Sequence, residues 1–187
     1  GTHEADPPPP GLIGMKIDAA QAFGTGHHET TTGCLEAIAM LLRRRRPHRM
    51  LDVGTGTGVL AIALAKRTHL QVIASDIDPI ATRTTVENAR DNGVAPLIRA
   101  VTAAGLSHPA ITEASPYDLI VANILARPLI GIAPAMGRAA AHGASVILSG
   151  ILATQAAGVV TAYAQQGIIL RHKLIRGEWA TLLMEKP

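Results

Sequence analysis

Three alternate glycines, Gly54, Gly56 and Gly58, restrict the fold of this chain more than any other feature. They lie between the apolar segment 49–53 and a segment, 59–67, whose apolar residues recur with helical period. Glycine adopts the left-handed conformations that a tight turn needs, and it lets another group approach the backbone closely. The N-terminus of a helix presents unpaired N–H groups and the positive end of its dipole. The pattern therefore predicts a strand, a tight turn and a helix, with room for a ligand at the turn.

Segments of strand and helix character alternate along the rest of the chain, which indicates a parallel sheet with helices on both faces. We predict strands at 12–18, 49–53, 71–75, 97–101, 119–122 and 145–148, and helices at 30–44, 59–67, 79–92, 128–141 and 153–166. Two more strands, 168–175 and 178–185, meet at Gly177 and predict an antiparallel hairpin that closes one edge of the sheet.

Composition excludes several classes of protein. The chain has 187 residues, 48% of them hydrophobic, which suits one folded domain and not a disordered chain. No apolar stretch is long enough to cross a membrane, so we expect no membrane contact. The single cysteine, Cys34, excludes an internal disulfide and favours a reducing, cytoplasmic location.

Two segments carry an unusual composition. Residues 1–11 include four consecutive prolines and predict an extended linker, so the folded domain is expected over 12–187. The arginines at 43–46 lie at the C-terminus of a predicted helix, where cations complement the helix dipole. A contact with RNA is the alternative, but no aromatic residues are interleaved with these arginines. Direct nucleic-acid contact is therefore expected to be weak or absent.

Polar residues follow the second and fourth predicted strands. Asp76 ends the second strand, where a carboxylate can accept hydrogen bonds from ribose hydroxyls. Asp78 directly precedes Pro79 and is expected to cap the next helix. Asn123 ends the fourth strand, and its amide can both donate and accept. Ligands of open α/β sheets bind at the carboxyl ends of the strands, where Asn123 is expected to lie. A role of Asn123 in the turn that follows the strand fits equally well.

The segment 22–32 combines the only phenylalanine, Phe23, with two glycines, two histidines and four threonines. We interpret it as a loop that closes over a ligand, with Thr30 or Thr31 at the start of a helix. A metal site at the adjacent histidines, His27 and His28, is disfavoured, because neighbouring residues rarely chelate one ion and no cysteine or carboxylate cluster accompanies them.

Together these motifs resemble the class I S-adenosylmethionine-dependent methyltransferases, and within them the bacterial methyltransferases of ribosomal protein eleven of the large subunit. The segments that carry the resemblance are 23–31, 52–62, 76–79, 121–126 and 148–152. The resemblance implies a Rossmann-like fold with a seven-stranded, mostly parallel sheet and an antiparallel C-terminal hairpin. It also implies S-adenosyl-L-methionine as cofactor and methylation of lysine side chains and an N-terminal amine of the ribosomal protein.

The resemblance further implies that four residues hold the cofactor: Thr31, Gly54, Asp76 and Asn123. We extend this set, on grounds of proximity, to Phe23, Gly24, Thr25, Gly26, His28, Gly56, Ile77 and Leu125. Asn123 is the candidate catalytic residue, because its carbonyl oxygen can orient an amine. The family also carries an N-terminal domain that recognises the substrate, so residues 1–11 are expected to be the linker to a domain that this sequence lacks.

Three alternatives remain open at this point. The acceptor can be another protein or a small-molecule amine. The turn can serve a nicotinamide-dependent oxidoreductase, although G-x-G-x-G differs from the G-x-G-x-x-G of dinucleotide sites. The domain can also bind a cofactor or a partner without catalysing a reaction.

Overall fold

The computed structural model describes residues 13–18 and 27–187. Its helices are α1 (His27–Leu42), α2 (Val59–Thr68), α3 (Pro79–Asp91), α4 (Pro109–Thr112), α5 (Ala126–Ala139) and α6 (Ala156–Ala164). Its strands are β1 (Met50–Val53), β2 (Val72–Asp76), β3 (Ile98–Thr102), β4 (Tyr117–Asn123), β5 (Ala140–Leu152), β6 (Ile169–Arg176) and β7 (Trp179–Glu185). Short 3-10 turns cover Ala95–Leu97 and Ala153–Gln155.

The seven strands form one sheet in the order β3-β2-β1-β4-β5-β7-β6. The first five strands run parallel, and β7 lies antiparallel between β5 and the edge strand β6. The predicted fold class and the C-terminal hairpin are confirmed. The strand order reverses between β1 and β4, and open α/β sheets bind ligands at such a switch point.

Two hydrophobic cores lie on the two faces of the sheet. Successive strand residues alternate between them, so Met50 belongs to the core under α1, α2 and α3, whereas Leu51 belongs to the core under α4, α5 and α6. In β4, Leu119 faces the first core and Ile120 the second. Because both faces are covered, the ends of the strands are the places where this sheet can meet a ligand.

Two predictions about local structure are wrong. Residues 13–18 form no strand, because side-chain amides in α3 and at its C-cap, and not a neighbouring strand, pair with the backbone of Lys16 and Asp18. Helix α5 ends at Ala139, before the predicted 141, and β5 starts at once, so Gly143 lies inside a strand with φ of +77°. The linker predicted over residues 1–11 lies outside the described residues.

The arginines at 43–46 directly follow α1 and are exposed. Arg45 donates to Glu185 at 2.8 Å and to the carbonyl oxygen of Gly143, so it ties the end of α1 to the sheet. No helix in the described part of the chain is long and apolar enough to span a membrane.

Candidate functional site

The glycine turn between β1 and α2 adopts the conformation that its sequence predicts. Gly54, Gly56 and Gly58 have φ of +71°, +58° and +85°. The N–H groups of Gly54 and Thr55 donate to the carbonyl oxygen of Ser75 at 2.7 and 2.9 Å, which holds the turn beside the end of β2. A Cβ on Gly56 would meet nothing within 4 Å among the described atoms, so this glycine is required by its backbone conformation and not by packing. The turn therefore has an open side.

Helix α3 supports the turn from behind. The hydroxyl of Thr85 donates to the carbonyl oxygen of Gly56 at 3.0 Å, and Nδ2 of Asn88 donates to the carbonyl oxygen of Thr57 at 2.8 Å. Sequence reasoning missed both side chains. The signal that could have found them is a polar row at three-residue spacing, Thr82, Thr85 and Asn88, on a helix whose neighbours are apolar elements.

Asp76 lies at the carboxyl end of β2 beside the turn, as predicted. Its Oδ2 accepts from the N–H of Gly56 at 2.9 Å and its Oδ1 accepts from the N–H of Asp78 at 3.0 Å. A carboxylate has about four acceptor positions, so each oxygen can take a further hydrogen bond. The capping role of Asp78 is confirmed, because its Oδ1 accepts from the N–H of Ile80 at 2.8 Å.

Asp52 is a buried carboxylate that sequence reasoning assigned no role. Its Oδ2 accepts from the Thr55 hydroxyl at 2.8 Å and from the N–H of Ala61 at 3.1 Å, whereas its buried Oδ1 has no partner among the described residues. Burial raises the pKa of Asp52 to about 7, against the lowering effect of those two hydrogen bonds. Asp52 thus joins β1, the turn and the first residues of α2.

Asn123 and Thr31, which are far apart in sequence, meet at the carboxyl end of β4. Nδ2 of Asn123 donates to the hydroxyl oxygens of Thr30 and Thr31 at 3.3 and 3.4 Å. Oδ1 of Asn123 is buried and has no hydrogen-bond partner among the described residues. An orphaned buried acceptor is costly, and a ligand donor is one way to satisfy it.

A second polar contact, which sequence reasoning missed, fixes α1 against the sheet. The hydroxyl of Ser149 in β5 lies 2.8 Å from Oγ1 of Thr181 and 3.4 Å from the carbonyl oxygen of Thr30. Cys34 is next to this group, and burial raises the pKa of its thiol to about 12. The start of α1 is therefore held by polar side chains of β4, β5 and β7.

The remaining predicted site residues divide into two groups. Ile77 and Leu125 follow β2 and β4, and they are 73% and 68% exposed, so both present apolar surface beside the turn. Phe23, Gly24, Thr25 and Gly26, together with the side chain of His28, lie outside the described residues. Within the described ranges, no group of three His, Cys, Asp or Glu residues is arranged to hold a metal ion.

This arrangement of fold and turn has clear relatives. The profile of the family described as Ribosomal protein L11 methyltransferase (PrmA) matches residues 2–187. This chain belongs to that family. Its sequence is 53% identical to the ribosomal protein L11 methyltransferase of Rhizobium leguminosarum bv. trifolii over 189 aligned residues, and 50% identical to that of a Chelativorans species over 186. Each alignment covers 100% of this chain and 64% of the relative, so the chain spans less than two thirds of the length of these PrmA proteins.

A solved structure of the same family matches closely. The crystal structure of a ribosomal protein L11 methylase from Lactobacillus delbrueckii subsp. bulgaricus superposes with a TM-score of 0.87 at 30% identity. The match covers 97% of this chain and 90% of that one. The PrmA fold therefore extends over nearly the whole sequence, including the C-terminal hairpin.

Proposed function

We propose that this chain is an S-adenosyl-L-methionine-dependent methyltransferase domain that N-methylates lysine side chains and the N-terminal amine of large-subunit ribosomal protein L11 in the cytoplasm. One observation carries the proposal. In a chain of the PrmA family, the glycine turn, the Asp76 carboxylate and the orphaned acceptor of Asn123 converge at the carboxyl ends of β1, β2 and β4. The carboxyl ends of the strands are where α/β sheets bind nucleotide-like ligands.

The residues at these strand ends fit the cofactor chemically. The spare acceptor positions of Asp76 suit two ribose hydroxyls, and the open side of Gly56 permits a close approach to the backbone. Exposed Ile77 offers an apolar surface for the adenine ring. Gly54 and Thr31 complete the described part of the proposed contact set, and contacts from Phe23, Gly24, Thr25, Gly26 and His28 remain predictions.

The chain itself must orient a neutral amine. When bound, S-adenosylmethionine supplies an activated methyl group on a sulfonium. A lysine amine with an ordinary pKa of about 10.4 is protonated at neutral pH, and we expect its burial against the apolar side chain of Leu125 to favour its neutral form. We expect Oδ1 of Asn123 to accept a hydrogen bond from that amine, because Nδ2 is already engaged by Thr30 and Thr31. Proton loss to water suffices, so no general base is assigned.

The first experiment tests the cofactor site. Asp76→Ala should weaken S-adenosylhomocysteine binding at least about tenfold, because removing the acceptor leaves ribose hydroxyls unpaired on binding. Calorimetry measures the affinity. Asp78→Ala, two residues away, is the matched control, since it removes a helix cap and should lower the melting temperature with little change in affinity. Equal affinities for Asp76→Ala and the wild type would remove the ribose assignment.

The second experiment tests the site proposed for the amine that receives the methyl group. Asn123→Ala should lower methyl transfer from labelled cofactor to ribosomal protein L11 by roughly a hundredfold, because a misplaced amine loses its attack geometry. Cofactor affinity should fall only modestly. Wild-type turnover in this variant would contradict the role of Asn123. Transfer to unrelated amines but not to L11 would support the alternative acceptor classes.

A further inference from the structure

Residues 13–18, which we call the strap, lie against the C-terminal part of α3. The N–H and carbonyl oxygen of Lys16 bind the amide of Asn92 at 3.0 and 2.6 Å. The N–H and carbonyl oxygen of Asp18 bind the amide of Asn88 at 3.0 and 3.3 Å. Four helical residues rise about 6 Å, which is close to the span of two extended residues. The two amides therefore match alternate residues of the strap.

Only one of the two amides also reaches the glycine turn. Asn88, which is 2% exposed, donates from Nδ2 to the carbonyl oxygen of Thr57 at 2.8 Å. Nδ2 of Asn92 donates instead to the carbonyl oxygen of Asn88 within the helix, at 2.8 Å. The strap and the turn thus share the side chain of Asn88.

The strap favours the orientation of the Asn88 amide in which Nδ2 faces the turn. The N–H of Asp18 needs an acceptor, and on this side chain only Oδ1 accepts. With Oδ1 engaged by the strap, Nδ2 faces the carbonyl oxygen of Thr57. A detached strap would remove that constraint on the Asn88 amide.

We propose that Asn88 is a positioning residue for the cofactor turn and that the docked strap sets its orientation. Docking of residues 13–18 and binding of the cofactor then favour each other, since coupling between two binding events is reciprocal. This inference rests on the proposed function, in which the cofactor lies on the glycine turn.

The test compares Asn88→Ala with Asn92→Ala. Each variant removes the hydrogen bonds of one amide to the strap, but only Asn88→Ala also removes the hydrogen bond to the carbonyl oxygen of Thr57 in the turn. We expect Asn88→Ala to weaken S-adenosylhomocysteine binding about tenfold in calorimetry, and Asn92→Ala to stay within about threefold of the wild type. Both should lower the melting temperature. An affinity for Asn88→Ala equal to that of the wild type, or equal losses in the two variants, would overturn the proposal.

Amide exchange provides a readout that needs no ligand. In the unliganded Asn88→Ala protein, the N–H of Gly58, which donates to the carbonyl oxygen of Thr55 at 2.9 Å, should exchange faster than in Asn92→Ala. In the wild type, adding S-adenosylhomocysteine should slow exchange of the Lys16 and Asp18 amides, and Asn88→Ala should abolish this slowing. Unchanged exchange at Gly58 in Asn88→Ala would refute the support of the turn.

The outcomes separate this inference from the proposed function. If the wild type does not bind S-adenosylhomocysteine, the proposed function and the coupling both fail, and exchange at Gly58 alone decides whether Asn88 supports the turn. If Asn88→Ala does not fold, Asn88→Asp keeps an acceptor for the N–H of Asp18 and loses the donor to Thr57. That variant should show the same loss of affinity, and wild-type affinity in it would overturn the proposal.

Discussion

At the scale of single residues, Asp52 determines how the glycine turn responds to pH. It lies in β1, with one oxygen saturated by Thr55 and Ala61 and the other without a partner among the described residues. Burial raises its pKa from 3.8 to about 7, and the nearby charge of Asp76 adds to the rise. Between about pH 4 and 7 the folded protein therefore holds a proton that an unfolded chain would release.

This shift predicts a stability difference between the wild type and Asp52→Asn. Because the folded-state pKa lies above the unfolded value, the contribution of Asp52 to the free energy of unfolding is complete below about pH 4 and declines as the pH rises to about 7. The neutral amide of the variant has no such dependence, and its oxygen can accept the same two hydrogen bonds. In urea unfolding measured from pH 4 to 8, the free energy of unfolding of the variant should rise relative to that of the wild type as the pH increases. Parallel curves would contradict the raised pKa.

At the scale of elements, the turn that links β4 to α5 is held between two glycines. A Cβ on Gly150 would lie 2.6 Å from the carbonyl oxygen of Ile124, and a Cβ on Gly54 would run into the Ile124 side chain. Asn123 and Leu125 flank Ile124 directly, so these two close approaches fix their positions. The glycine turn and the proposed acceptor site are thus in contact through one residue.

Two glycines of β5 provide a matched test of this contact. Gly150 and Gly143 have φ of +80° and +77°, but a Cβ on Gly143 would meet nothing within 4 Å in the described part of the chain. Alanine at either position carries a backbone cost of roughly 1–2 kcal/mol. Only Gly150→Ala should also displace Ile124 and lower methyl transfer, by roughly a hundredfold. Equal activity losses in the two variants, measured as kcat/KM, would show that backbone strain alone is responsible.

At the scale of the whole molecule, one continuous sheet separates the two cores. The proposed site lies at the carboxyl ends of three inner strands, β1, β2 and β4. Residues of α1 and of the turns after β1, β2 and β4 surround those ends. A ligand bound there contacts elements that come together only in the folded protein, so it should stabilise the folded state as a whole.

A thermal-shift measurement checks this expectation and separates two ligand classes. At a concentration about 100 times its Kd, S-adenosylhomocysteine should add about 2.7 kcal/mol to the free energy of unfolding. For a domain of this size, that corresponds to an increase in Tm of about 5–10 °C. NADH at the same concentration should cause no shift. A shift with NADH alone would favour the oxidoreductase alternative over the methyltransferase.

The sequence by itself determined most of the helices and strands, the glycine turn and the cap at Asp78. Apolar periodicity, glycine conformation and capping act over a few neighbouring residues, so they can be read along the chain. Only the tertiary structure decided that Asn88 contacts both the strap and Thr57, that Ser149 meets Thr181, and that Asn123 meets Thr30 and Thr31. The partners in each pair lie far apart in sequence, so no local pattern, not even the polar row of α3, identifies them. These pairings depend on which elements the crossovers of the sheet bring side by side.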